Sequence, residues 1–167
     1  MKPTEMSEFD SQLAELEDGD LHHFRDWPVS VVPPVAAGVY SIWNGAQLVY
    51  VGMSGRSLDP EKVAELLAKK KRKGLWERLN SHASGGRSGD KFCIYVCDRL
   101  VLPELSQQDI LNVAKGELSL DQRTREFIRE HLQFRITVVL DGEAARSVER
   151  LARSGSLRAG KPFLNPL

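Results

Sequence analysis

Tyr40 closes the triplet Gly38-Val39-Tyr40 and Tyr50 opens the triplet Tyr50-Val51-Gly52, with nine residues between the two tyrosines. The β-prone runs Gly38–Trp43 and Gln47–Met53 flank Asn44-Gly45, a dipeptide that favours a two-residue hairpin turn because both residues tolerate positive φ. A hairpin closed there is expected to bring the two phenols together across the strands on one face. Downstream, Arg78 and His82 stand four apart in the helical run Leu75–Ala83, one above the other on the same side. A guanidinium offers a planar fork of donors to an anion, and an imidazole titrates near neutrality and can move a proton. Each residue also has a plainer use. The tyrosines could be core aromatics, Arg78 could pair with Glu77 on the surface, and His82 could be a capping or buried histidine.

The net charge taken alone argues against a nucleic-acid binder, but its distribution is compatible with phosphate as the anion. The formal net charge is zero, but residues 1–30 hold eight acids and two bases, so the remaining chain carries plus six. The positive charge is concentrated in Lys69-Lys70-Lys71-Arg72-Lys73 and in Arg146, Arg150, Arg153, Arg158 and Lys161. Clusters of this kind suit contacts with a nucleic-acid backbone, although solvated helix faces would show the same pattern.

The elements that must position these groups read as one α+β domain, a small central mixed or antiparallel β-sheet flanked by helices. Residues 1–37 form an acidic N-terminal arm packed on that domain, with Phe9, Leu13 and Leu16 at helical spacing. After the hairpin, Asp59-Pro60 caps a helix carrying Val63, Leu66 and Leu67 that is expected to run to Gly74. Gly85-Gly86 closes the Arg78 helix. Phe92–Leu100 reads as a central strand, with Phe92, Ile94 and Val96 on one face and Cys93, Tyr95 and Cys97 on the other. Helices follow over about Ser106–Lys115 and from the capping box Ser119-x-x-Gln122. Phe134–Leu140 is read as a strand and Gly142–Arg153 as a last helix. Cys93 and Cys97 match neither a CxxC pair nor a zinc knuckle and are expected to be small buried side chains. No apolar run approaches the roughly 18 residues of a membrane span, and no signal-peptide layout opens the chain, so a cytoplasmic location is expected.

The two triplets resemble the halves of the motif that names the GIY-YIG nuclease family, with valine in place of each isoleucine. The resemblance extends in order through Arg78-Leu-Asn-Ser-His82, Glu149 in Val148-Glu149-Arg150-Leu151, and Asn165 in Pro162-Phe-Leu-Asn165, and so covers Gly38 to Asn165. The hairpin is a residue or so tighter than in many members, and Leu102–Leu132 adds helices to the minimal domain. The connection from Gly52 to Arg78 is lengthened, as in the restriction-endonuclease branch.

What the resemblance implies is a metal-dependent endonuclease acting on DNA, with RNA not excluded, whose domain spans residues 38–167. Glu149 would hold one Mg²⁺ or Mn²⁺, with Glu143 as the fallback ligand; without that role Glu149 would pair with Arg153. Arg78 would clamp the scissile phosphate, and His82 would accept or relay the proton of the attacking water. Tyr40 would serve as general base or water-orienting hydroxyl, and Tyr50 would orient water or phosphate. Asn165 would brace the site by hydrogen bonding, or else be a turn former. Gly38 and Gly52 would be structural, permitting close backbone approach. Arg56, Lys69, Lys70, Lys71, Arg72, Lys73 and Arg153 would follow the substrate backbone. With no appended recognition domain, specificity would come from the extra helices, a homodimer or a partner protein. The alternatives are a fold that binds nucleic acid without cutting it, a repair or mobile-element nuclease acting with a partner protein, and an interaction protein whose acidic arm docks on a basic partner or folds back over its own basic groove.

Overall fold

The apolar residues Leu13 and Leu16 form one stripe of helix α1 (Asp10–Asp18), with Phe9 at its N-cap, and Leu16 is fully buried. The structure, a computed structural model, describes residues 8–166. The chain then adds a short strand, β1 (His22–His23), and a 3₁₀ turn over Phe24–Asp26. Strand β2 (Val35–Asn44) follows, buried at every position but its last. Such a run is expected of a strand covered on both faces. Strand β3 (Gln47–Ser54) folds back on it through Gly45-Ala46.

The turn thus lies one residue later than Asn44-Gly45. Gly45 takes the first central position at φ +60°, the place where a type II′ turn requires glycine, and Asn44 is left pairing with Gln47 in the ladder. The register shifts between Ile42 and Trp43: Trp43 faces Leu48 but Ile42 faces Tyr50, which leaves Val49 as the extra residue of a β-bulge. This shift decides the site. An unbroken ladder would set Tyr50 opposite Ser41, on the far side of the sheet from Tyr40, because side chains alternate with a period of two. The bulge restores Tyr50 to the side that Tyr40 and Ile42 share.

Helix α2 (Pro60–Ala68) is capped by Asp59, whose carboxylate accepts the Lys62 N–H at 2.7 Å. It ends before the basic run, not at Gly74. Lys70 turns the chain at φ 53°, and Lys73–Gly74 forms β4, a parallel pair with Val35–Ala36 of β2. Gly74, at φ +76°, lies so close to the Ala36 carbonyl that no side chain fits there. Its position delivers helix α3 (Leu75–Ser84) onto the sheet, with Leu75, Leu79, His82 and Ala83 buried.

The segment read as a central strand is helical instead: α4 (Lys91–Val96) continues through a π turn (Cys97–Val101) into a 3₁₀ turn (Leu102–Glu104). Phe92, Cys93, Val96, Cys97 and Val101 are buried while Ile94 is exposed, a helical spacing. A short apolar run cannot be assigned by periodicity alone. The arbiter is Asp90, whose carboxylate caps the helix by accepting the Cys93 N–H. Both cysteines are free and buried.

Helix α5 (Gln107–Ala114) opens with a full capping box between Ser106 and Asp109. Helix α6 (Leu120–His131) has only half of the expected one: Ser119 accepts from the Gln122 N–H, but the Gln122 amide turns away to Glu126. Strand β5 (Gln133–Val139) and helix α7 (Gly142–Leu151), which runs on as a π turn over Ala152–Ser156, complete the regular elements.

The result is an α+β fold. The strands run β1-β5-β2-β3 in antiparallel order, with β4 added in parallel to one end of β2. On one face Tyr40, Ile42 and Phe134 pack with Leu75, Leu79, Phe92, Val96 and Ile128 from α3, α4 and α6. On the other, Val39, Trp43 and Val51 pack with Leu16 of α1 and with Ala145 and Val148 of α7. The C-terminal tail runs along the open edge of β3, where Phe163 and Leu164 donate backbone N–H bonds to Leu48 and Val49. Among the described residues no helix is long and apolar enough to cross a membrane.

Candidate active site

Tyr40 points from the middle of β2 toward α3, where its hydroxyl lies 2.8 Å from His82 Nε2. The bulge places Tyr50 beside it, rings stacked at 6.3 Å and 26°. His82 stands edge-on to both, at 5.3 Å from Tyr40 and 6.2 Å from Tyr50, and Phe92 closes over the imidazole at 4.5 Å. The phenol of Tyr40 also lies across Gly52, its partner in the β2–β3 ladder, so that a Cβ at position 52 would collide with the hydroxyl. At Gly38 a Cβ would meet the Thr137 carbonyl and the Leu75 side chain. Both glycines occupy positions where backbone and side chain approach too closely for any other residue.

Behind His82 stands Asp90, a residue to which the sequence motifs do not point. Asp90 Oδ2 lies 2.7 Å from His82 Nδ1 and accepts the Ser81 hydroxyl at 2.8 Å, while Oδ1 accepts the Cys93 N–H at 3.3 Å. Tyr40, His82 and Asp90 are each only 2% exposed. Burial lowers the His82 pKa below its usual 6.5, with Asp90 pulling the other way, which favours the neutral ring. Burial alone would raise the Asp90 carboxyl, but the bonds from His82, Ser81 and Cys93 hold it down to about 2. An ionised carboxylate at Nδ1 makes that nitrogen the donor, and Nε2 then accepts the Tyr40 O–H. Burial, the Tyr50 phenol and nearby carboxylates hold the Tyr40 phenol well above its usual range, against the pull of Arg78.

Arg78 lies one turn before His82 on α3 and is exposed. Among the described residues Glu77 pairs with Lys73, at 3.5 Å, and not with Arg78. The guanidinium lines a cavity of about 660 Å³ together with Arg56, Lys73, Glu77, Ser81 and Met53. The trough thus carries three cations and is bordered by Ser81 and Met53, the chain neighbours of His82 and Gly52, a character suited to an anionic chain.

Glu149 approaches from α7. Burial raises its carboxyl above the usual range against the pull of Arg153, Arg56 and Arg146. Its charge in turn raises both tyrosines; Tyr50, pushed up by burial first, reaches about 12. The i,i+4 ion pair with Arg153 is formed, at 3.7 Å. Asn165 makes two bonds to one residue: its Oδ1 accepts the Val51 N–H at 2.8 Å, and its Nδ2 donates to the Val51 carbonyl at 2.9 Å. The amide acts as one further rung on the open edge of β3, next to Tyr50.

The basic run is only partly at the site. Lys73 lines the trough, but Lys69 is paired with Glu65 at 2.8 Å and the Arg72 guanidinium lies over the Trp76 ring at 4.2 Å. Lys70 and Lys71 are exposed on the turn after α2. Arg153 belongs to a second basic cavity, of about 340 Å³, with Lys161 and Asn165.

His82, Asp90 and Cys93 also place ligand atoms within 4.8 Å of one another. This cluster does not suit a hard cation. The His82 and Asp90 atoms are already bonded to each other, and burial drives the Cys93 thiol far from ionisation. The signal that could have revealed Asp90 was its place before an apolar run, the position of an N-cap. Reading that run as a strand concealed it. No family model, curated protein or solved structure matches this chain.

Proposed function

We propose that the chain is a metal-dependent endonuclease that hydrolyses DNA phosphodiester bonds. The observation that carries this reading is the hydrogen bond between the Tyr40 hydroxyl and His82 Nε2, with Arg78 and Glu149 both acting electrostatically on that phenol. Structural packing alone gives little reason for a tyrosine and a histidine to be hydrogen-bonded with an arginine and a glutamate in electrostatic reach, drawn from a strand and two helices far apart in the chain. The order of these residues along the chain, which resembles that of GIY-YIG nucleases, supports the same conclusion.

Phosphodiester hydrolysis needs a water relieved of its proton and charge stabilisation at the phosphoryl and leaving oxygens. In the proposed reaction the Tyr40 proton passes to His82 Nε2 as the phenol oxygen takes a proton from the attacking water. The hydroxide bonds to phosphorus, the P–O bond to the leaving oxygen breaks, that oxygen takes a proton from solvent, and His82 returns its proton to solvent after turnover. Asp90 balances the imidazolium so formed. Arg78 binds the non-bridging oxygens, and Tyr50, the more exposed of the two tyrosines, orients the water or the phosphate. The half-buried Glu149, whose nearest cationic partner is a long ion pair, fits a hard divalent ion: its anionic form is incompletely compensated by the protein. Mg²⁺ or Mn²⁺ held there would supply charge neutralisation at the scissile phosphate and the leaving oxygen. Arg56, Lys73 and Arg153 would hold the flanking backbone.

One observation favours a different reading, a module that binds nucleic acid without cutting it. Tyr40 is only 2% exposed, and a buried phenol of raised pKa is a poor base unless substrate and metal alter its surroundings. Supercoiled plasmid incubated with the chain separates the two readings. The nuclease nicks or linearises it with Mg²⁺ or Mn²⁺ and leaves it intact with chelator, whereas the binding module retards DNA and never cuts it.

A further inference from the structure

We infer that Asp90 is a positioning residue that fixes the tautomer of His82, placing the ring proton on Nδ1 so that Nε2 is kept free to receive the Tyr40 proton. Its kinetic consequence rests on the proposed hydrolysis; the tautomer itself does not.

Two donors, the Ser81 hydroxyl at Oδ2 and the Cys93 N–H at Oδ1, meet the two oxygens of this carboxylate, and His82 Nδ1 lies 2.7 Å from Oδ2. The Ser81 hydroxyl and the Cys93 N–H favour the ionised carboxylate, and an ionised carboxylate only accepts, so the proton of the 2.7 Å contact belongs to Nδ1. An asparagine at 90 has one acceptor atom. With its oxygen toward Cys93, its NH₂ faces His82 Nδ1, which must then lose its proton. The ring proton moves to Nε2 and points at the Tyr40 oxygen, the wrong direction for proton transfer from the phenol. With the amide reversed, its NH₂ meets the Cys93 N–H head-on.

Capping does not account for the arrangement. The cap of α4 uses Oδ1 alone, and both bonds of Oδ2 go to α3. Ser81 adds to the effect: its hydroxyl approaches the same oxygen that takes the imidazole proton and so helps to hold that oxygen in place. The tyrosine, the imidazole and the carboxylate form one buried line, with heavy-atom separations of 2.8 and 2.7 Å.

The test uses nitrogen-detected NMR of the histidine rings in the full chain at neutral pH, with His82 assigned from His82→Gln. Plasmid cleavage with Mg²⁺ is followed in parallel for wild type, Asp90→Asn and Asp90→Ser; serine keeps a capping oxygen but does not reach the ring. The expected wild-type spectrum shows His82 protonated at Nδ1 and bare at Nε2, and Asp90→Asn moves the proton to Nε2. Both variants are expected to lose about 10²- to 10⁴-fold in kcat, with KM within about twofold, the span expected when an interaction confined to the reaction step is removed. A wild-type ring protonated at Nε2 overturns the inference, and so does an Asp90→Asn enzyme of unchanged kcat. If Asp90→Asn fails to fold, the wild-type spectrum and Asp90→Ser still decide. If wild type binds metal and DNA without cutting, the hydrolysis reading fails, and the tautomer in the wild-type spectrum alone supports or overturns the role of Asp90.

Discussion

Tyr40 and Gly52 face each other across the β2–β3 ladder, and the phenol fills the space that a side chain at position 52 would occupy. The hydroxyl stays 2.8 Å from His82 only because that space is open. Gly52→Ala is therefore expected to displace the ring from His82 and to destabilise the fold by about 1–3 kcal/mol, the usual cost of overpacking a core. Thermal unfolding measures the second effect, and loss of metal-dependent plasmid nicking by the folded variant measures the first. An alanine variant of full activity would show that the Tyr40–His82 hydrogen bond is not needed.

The buried His82–Asp90 pair predicts how stability depends on pH. Asp90 is held at about 2 in the folded chain against an ordinary 3.8, so it contributes stability that is complete above about pH 4 and lost as pH falls toward 2. The shift corresponds to about 2 kcal/mol. His82 is depressed below 6.5; the unfolded chain then takes up its proton first, and stability declines as pH falls below that value. Both groups act in the same direction. Urea midpoints are expected to fall from pH 7 to pH 5 and again below pH 4, and His82→Gln is expected to flatten the first decline. A midpoint that rises between pH 7 and pH 5 would mean that His82 is charged in the folded protein.

The same depression would set the acid limit of the proposed cleavage. The proposed reaction needs an unprotonated Nε2, so the single-turnover rate is expected to hold through neutrality and to fall only below the ordinary imidazole range. A rate that rises on acidification would assign His82 the opposite role, that of a proton donor.

Much of this arrangement is legible in the sequence, for definable reasons. Tyr40 and Tyr50 flank a turn signal strong enough to form a hairpin, and Arg78 and His82 sit at a spacing that any helix places on one side. The bulge at Val49 is not legible, because neither glycine nor proline marks it, yet without it Tyr50 would face away from Tyr40. Asp90 escaped for a different reason. The run Phe92–Leu100 is apolar from Phe92 through Cys97, which suits a buried strand and a buried helix alike, and only the strand reading leaves Asp90 without a purpose. Asn165 stands between these cases. Its neighbours mark it as a turn former, and its two bonds to Val51 depend on a tail whose path along β3 no local pattern dictates.

The cations divide into those at the trough and those outside it. Neutralising Arg56 and Lys73, both of which line the cavity with Arg78, is expected to weaken DNA binding for all sequences alike and to reduce the slope of log affinity against log salt by about 0.9 for each phosphate that is no longer neutralised. Lys69 is already paired with Glu65, and Lys69→Ala is expected to have a smaller effect. Binding titrations at several salt concentrations make the comparison. Equal slopes for all three variants would place the DNA elsewhere.

The most direct measurement compares wild type with Glu149→Gln on the same plasmid, reading cleavage in Mg²⁺ and binding in Ca²⁺ or chelator. The substitution keeps the size of the side chain and removes only its charge. The expected result is metal-dependent cutting by wild type, a loss of at least about 10²-fold in the variant, and DNA affinity retained in both. A variant that cuts as well as wild type, or a wild type that binds DNA with every metal and never cuts it, would contradict the proposal that this chain is a nuclease with Glu149 at its metal site.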